Sequence, residues 1–272
     1  MPSQLTPEER EALLNATRRA QAVQATKNAN APVGVRQEVD DAEYVHRLQA
    51  AHKQDMSLLT ETRERKIKKA STEWAKLVGP TFADAETQIP SILERVNRMQ
   101  QKQGLHKTSI VLYGDKYGRG KTWNAYAYLN ALVHTGVLLP GQIFFGTESS
   151  TIARIAGAGF EKADALRDLK HPSHKAFYID DVGLAYYFKK DHREEAWYEL
   201  VDHVYTRRLT LILTTNLDFT PNGLGSWIGG RSFDRLRTLV GEDGALMLNG
   251  VNRRDYVYQE NEKQYREGSN RS

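Results

Sequence analysis

The stretch SIVLYGDKYGRGKTW, residues 109–123, limits what this chain can fold into more than any other. An apolar run ending at Tyr113 leads into glycines at 114, 118 and 120, then Lys121-Thr122, then a segment carrying Ala125, Leu129 and Leu132 at helical spacing. Strand, glycine-rich loop and helix in that order are the setting of a phosphate-binding P-loop. Glycines let backbone N–H groups converge on phosphate oxygens, and the helix N-terminus adds the positive end of its dipole. Gly114, Gly118, Arg119, Gly120, Lys121, Thr122 and Trp123 are therefore the candidate nucleotide cradle. Lys121 is placed to reach the β- and γ-phosphates, and Thr122 to offer its hydroxyl to Mg2+. Asp115 occupies the position where the pattern carries its first glycine, and Gly114 stands one residue early. Either Gly114 makes the tight turn or the loop is one residue longer.

Three later segments bear on the same chemistry. KAFYIDDVG is an apolar strand ending in Asp180-Asp181, similar to a Walker B strand. Asp180 is expected to hold Mg2+ through its water shell and Asp181 to orient or deprotonate the attacking water. Two adjacent carboxylates repel each other unless a cation sits between them and solvent; the plainer alternative is a turn with solvated aspartates. LTLILTTNLDF is another buried strand, and Asn216 at its end is the candidate for positioning water against the γ-phosphate, with a turn cap as the alternative. IGGRSFDRLRTL places Arg231, Arg235 and Arg237 in a predicted helix. An arginine can stabilise charge on a transferred phosphoryl group, and one supplied by a neighbour requires an oligomer. Three solvated arginines on a surface helix would give the same spacing.

The rest of the chain supports a two-part organisation. Thr6-Pro7-Glu8-Glu9 caps a predicted helix running to about residue 28, and NANAPVGV interrupts it. From about residue 38 to 77, Val45, Leu48, His52, Met56, Leu59, Ile67, Ala70 and Trp74 fall three or four apart, as one face of a long helix requires. Its Arg63, Arg65, Lys66, Lys68 and Lys69 read as a solvated face or, more sharply, as a surface for an acidic partner or nucleic acid. Gly79-Pro80 ends that helix, and SILERVNRMQQKQ supplies another. Apolar runs then recur at 109–113, 142–145, 176–179, 210–213 and 245–248, all but the last pair separated by helical stretches. Strands alternating with helices imply an α/β fold, a parallel sheet flanked by helices and preceded by an α-helical N-terminal region.

Composition narrows the class without choosing within it. Net charge is +4 with a pI near 9.1, which permits nucleic-acid contact and equally fits an ordinary protein. The absence of cysteine excludes disulfides and thiolate zinc sites. No basic leader followed by an apolar run opens the chain, and no stretch reaches the ~18 apolar residues of a membrane span. A cytoplasmic protein is expected.

Taken in order, the loop, the Walker B strand, the Asn216 segment and DRLR resemble an AAA+ ATPase, a P-loop NTPase with a RecA-like core. The resemblance is to the DnaC/IstB-like helicase loaders, near the DnaA initiators. It covers residues 80 to 258, with GPTFADAET, IDDVG, TTNLDF, RSFDRL and GVNRRDY as its segments. It implies ATP and Mg2+ as cofactors, self-association through ATP sites, single-stranded DNA as a ligand, and residues 1 to 79 gripping a replicative DNA helicase. STIARIAGAGFEKADALRDLK resembles the inserted helical pair of the group, which makes Arg154, Lys162 and Arg167 candidates for DNA-backbone contact. The family's arginine finger falls on Arg235 or Arg231, with Arg235 matching the Arg of DRL. Asp115, Asp181 where many relatives carry Glu, and the lack of a helical lid after residue 258 depart from the pattern; residues 259–272 read as a polar, disordered tail. The transposition branch, acting on duplex DNA with a transposase, and a non-hydrolysing ATP-binding scaffold or helicase inhibitor remain open alternatives.

Overall fold

The computed structural model describes residues 41–100, 108–115, 117–157, 159–185 and 188–249. The expected helix ending near residue 28, the GVNRRDY segment and the 259–272 tail lie outside these residues. The chain divides into compact units at 1–68 and 69–272. Helix α1 (Asp41–Val78) supplies the described part of the first. On it Arg63, Arg65, Lys66 and Lys68 are exposed.

In the second unit, the end of α1 is followed by α2 (Pro80–Ala83), α3 (Pro90–Gln100) and strand β1 (Ile110–Tyr113). Then come α4 (Lys121–His134), β2 (Ile143–Thr147), α5 (Glu148–Ala156), α6 (Gly159–Leu169) and β3 (Ala176–Val182). The described part ends with α7 (Lys190–Arg207), β4 (Thr210–Thr215), α8 (Leu224–Ile228), α9 (Gly230–Val240) and β5 (Ala245–Met247). All strand pairs are parallel, in the order β2-β3-β4-β1-β5. Each expected strand is present within a few residues. The third runs on past 179: β2 pairs with it up to Asp180, opposite Thr147, and β4 pairs with Val182 through Thr215.

Alternation along the strands assigns the two faces. Ile110, Leu112, Tyr178 and Ile212 point to the side covered by α3, α4 and the end of α1, where Trp74, Ile92, Leu129 and Leu132 are fully buried. Val111, Phe177, Ile179, Leu211 and Leu213 point to the opposite side, against Ile152, Trp197, Leu200 and Leu236 of α5, α7 and α9. A strand covered on both faces reads as an unbroken apolar run, and each such Leu, Ile or Val contributes about 1.5–3 kcal/mol.

Two buried polar side chains fix what precedes the sheet. Asn130 of α4 accepts from Trp74 Nε1 at 2.6 Å and donates to the carbonyls of Phe82, Ala83 and Ala85 at 2.8, 3.1 and 2.9 Å. Arg95 of α3, with no exposed surface, donates to Ser109 O and Val240 O, both at 3.1 Å, and to Asp243 at 2.6 Å. The GPTFADAET segment is thereby held along the helix that starts at the P-loop.

Candidate nucleotide site

The sheet order sets the site. β4 lies between β1 and β3, so the polar end of β4 falls between the glycine-rich loop after β1 and the paired aspartates of β3. Loops leaving the carboxyl ends of parallel strands beside such a crossing form the crevice where α/β proteins bind ligands.

The early glycine is explained by backbone geometry. Gly114 has φ 149°, and a Cβ there would stand 3.0 Å from the Leu248 carbonyl oxygen. Leu248 N in turn donates to Tyr113 O at 2.8 Å. The close approach is made at 114, and Asp115 is exposed. Gly118 and Gly120 adopt φ 74° and 81°, a left-handed conformation that glycine takes without strain. Gly120 is the N-cap of α4 and contributes no side chain, so the first-turn amides face the loop.

Lys121 is buried, and its ammonium donates to Gly114 O at 3.1 Å across the loop. Burial lowers its pKa, opposed by the charges of Asp181 and Asp115. Thr122 Oγ1 lies 3.2 Å from Asp180 Oδ1. A hydroxyl and a carboxylate meeting there are the hard oxygen donors that Mg2+ takes alongside water and phosphate oxygens, so these residues fit the cation the motif implies. Thr122 and Asp180, both singled out from the sequence, are brought within hydrogen-bond distance. Trp123 turns the other way, its Nε1 donating to Glu86 O at 2.8 Å.

Sequence reasoning passed over Thr214. Its hydroxyl makes a short hydrogen bond to Asp180 Oδ1 and accepts from the Asp181 amide at 3.0 Å. Asp181 is exposed, with φ 54° where a non-glycine residue is uncommon, and the β3–β4 register shifts between Ile179 and Val182. Asn216 follows β4, and its Oδ1 is buried without a hydrogen-bond partner among the described residues. An orphaned acceptor at this crevice is a place for a water or ligand donor.

The arginines divide. Arg235 is tied to α7: its guanidinium lies 3.2 Å from Asp202 and over the rings of Tyr198 and Tyr205 at 4.7 and 5.9 Å. Its pKa is raised, first by the hydrogen bond with Tyr198. Arg231, one turn earlier, is exposed. The DNA-contact candidates lie on α5 and α6, which pack on the sheet face opposite α4, and all make ion pairs. Arg154 lies 3.5 Å from Asp168 and 4.0 Å from Asp164, Lys162 lies 2.8 Å from Glu195, and Arg167 bonds Asp164. Phe160, which sequence reasoning also passed over, is 83% exposed at the start of α6. An outward Phe inside a polar helix was the available signal.

The sheet order, the loop entering α4 and the aspartates on β3 define a parallel α/β fold with a glycine-rich loop between β1 and a helix. No protein-family model and no curated protein matches the chain. Solved structures similar to it include DnaI, 16% identical over 63% of this chain and 89% of that one with a TM-score of 0.45. A DNA replication initiation factor is 14% identical over 64% of this chain and 50% of that one, TM-score 0.45. The replication initiator DnaA bound to AMPPCP and single-stranded DNA is 15% identical over 69% and 56%, TM-score 0.46. Among the described residues no helix is long and apolar enough to cross a membrane.

Proposed function

We propose that the protein is a cytoplasmic, ATP-dependent helicase loader of the DnaC-like AAA+ group, binding a replicative helicase and single-stranded DNA and releasing them on hydrolysis. The observation that carries the nucleotide part is the meeting of the Thr122 hydroxyl and the Asp180 carboxylate at 3.2 Å above a loop whose lysine is already buried. The replication part rests on the motif order and its resemblance.

In this reading the amides of residues 118–122 and the Lys121 ammonium bind the β- and γ-phosphates. Thr122 and Asp180 hold Mg2+, which neutralises charge on the phosphate oxygens when bound. Asp181 orients the attacking water and takes its proton, and Asn216 positions that water with its free acceptor. Arg231 is the better placed finger, because it is exposed while Arg235 is engaged on α7. A finger acts across a subunit boundary, so the active form is an oligomer.

For DNA, α6 offers Phe160 as a stacking face beside Lys162 and Arg167, with Arg154 on α5. Their ion pairs are no obstacle, since exposed pairs are worth about 0–1 kcal/mol and exchange readily for phosphate. The N-terminal unit, with its basic helix α1, takes the helicase contact.

The test is mass photometry of the protein with the replicative helicase of the same genome, single-stranded DNA and ATP. A discrete co-complex that requires ATP and disappears in Lys121→Ala is expected. Oligomers on duplex DNA with no helicase complex would favour the transposition branch, and ATP binding without turnover in any mixture would favour the scaffold.

A further inference from the structure

Glu148, the first residue of α5, is fully buried and has no part in the nucleotide chemistry above. A carboxylate out of water persists only where donors meet its charge. Here five do. Oε2 accepts from the backbone amides of Gly183, Leu184 and Ala185 at 2.8, 2.9 and 3.1 Å. Oε1 accepts from the indoles of Trp197 at 2.8 Å and Trp227 at 2.6 Å. Three successive amides aimed at one oxygen form an anion-binding nest, and Gly183, at φ 112°, supplies the backbone bend.

What this nest follows in the chain gives the arrangement its meaning. Thr147 pairs with Asp180, so Glu148 leaves β2 beside the aspartates. The nest starts two residues after Asp181, whose φ of 54° is a conformation that persists only when its surroundings enforce it. Thr214 holds that strand end from one side, through Asp180 and the Asp181 amide. Glu148 holds it from the other. Its second oxygen reaches Trp227 of α8, where Arg193 stacks at 3.8 Å and donates to the Trp227 carbonyl at 3.1 Å. Gly229, at φ 87°, then turns the chain directly into α9 and Arg231.

We infer that Glu148 is a positioning residue: it fixes the exit from β3 so that Asp180 and Asp181 keep their working geometry, and through Trp227 it ties that geometry to the helix bearing Arg231. This rests on the reading that the site turns over ATP. Glu148 touches no reacting atom; it acts through the loop and the two indoles. A purely packing role would need only shape, whereas positioning needs both oxygens as acceptors. Gln at 148 keeps the shape and turns one acceptor into a donor, setting its NH2 against either the three amides or the two indoles.

The experiment compares full-length wild type, Glu148→Gln and Trp227→Phe by ATP turnover, affinity for a fluorescent ATP analogue, and amide hydrogen exchange. Glu148→Gln is expected to lower kcat by about 10–100-fold, the scale of lost supporting hydrogen bonds at other sites, with nucleotide affinity within about threefold of wild type. Exchange should rise in 180–185 and 228–235 and stay unchanged in 110–115 and 117–122. Unchanged kcat, or a loss matched by weaker nucleotide binding or by general loss of protection, overturns the inference. If Glu148→Gln does not fold, Trp227→Phe decides: a fall in kcat of about 2–5-fold at unchanged affinity supports positioning, and unchanged kcat overturns it. Wild type that neither binds nor hydrolyses ATP overturns the nucleotide reading and this inference together, whereas wild-type turnover that survives Glu148→Gln overturns this inference alone.

Discussion

Gly114 and Thr214 are the residues whose individual replacement tests the local account most sharply. A methyl group at 114 must accept φ 149° and a 3.0 Å approach to a backbone oxygen, so Gly114→Ala should cost about 1–3 kcal/mol of stability, read by denaturant unfolding. Asp115→Ala, at an exposed position, should stay within about 0.5 kcal/mol. Thr214→Val keeps the side-chain shape and strips the hydroxyl from both Asp180 and the Asp181 amide. It should lose about 1–3 kcal/mol and lower kcat more than nucleotide affinity. Asn216 was legible as a polar residue at a strand end, but the burial of its oxygen without a partner among the described residues was not. Thr214 was invisible because its partners lie 34 and 33 residues away in the chain and meet it only through strand register.

Among the elements, β1, β3 and β4 were the most readable, because each is a largely apolar run buried along nearly its whole length, the mark of a strand covered on both faces. The arginine helix was readable as a helix, but its geometry was not: RSFDRL points to Arg235, while Tyr198, Tyr205 and Asp202 of α7 hold that side chain. Helix α6 carries a prediction of its own. Phe160→Ala should weaken single-stranded DNA binding by about 1–3 kcal/mol, as expected for one stacked base, with the salt dependence unchanged. Arg167→Glu should reduce that salt dependence. At the other end of the sheet α3 is bolted down by Arg95 and Arg98 on Asp243. Burial alone would raise the Asp243 pKa, but the hydrogen bond from Arg98 and the charges of Arg95 and Arg98 outweigh it and hold the carboxyl below the usual range. The sign follows: a depressed folded-state pKa gives stability that is present above the unfolded carboxylate pKa of about 3.9 and is lost as pH falls through the folded value. Unfolding midpoints measured from pH 6 down to pH 3 should therefore drop more steeply in wild type than in Asp243→Asn.

For the whole molecule, the chain combines a compact α/β unit with an N-terminal unit whose described part is a long helix bearing a basic face. The helix-breaking pair Gly79-Pro80 marks the boundary in the sequence, whereas the compact units part between residues 68 and 69, inside α1. Which partner the first unit meets was not legible, since helical spacing identifies a face and no ligand. The hub at Glu148 belongs to this scale as well, because it joins the ends of β2 and β3 to α7 and α8, segments spread over 79 residues. The central claim is that the loop, Thr122 and Asp180 form one nucleotide site. Isothermal titration of ATP, with and without Mg2+, into wild type, Lys121→Ala and Asp180→Asn tests it most directly. The account predicts one site per chain in wild type, binding lost in Lys121→Ala, and in Asp180→Asn binding that persists but no longer responds to Mg2+. Equal affinity in all three proteins would contradict it.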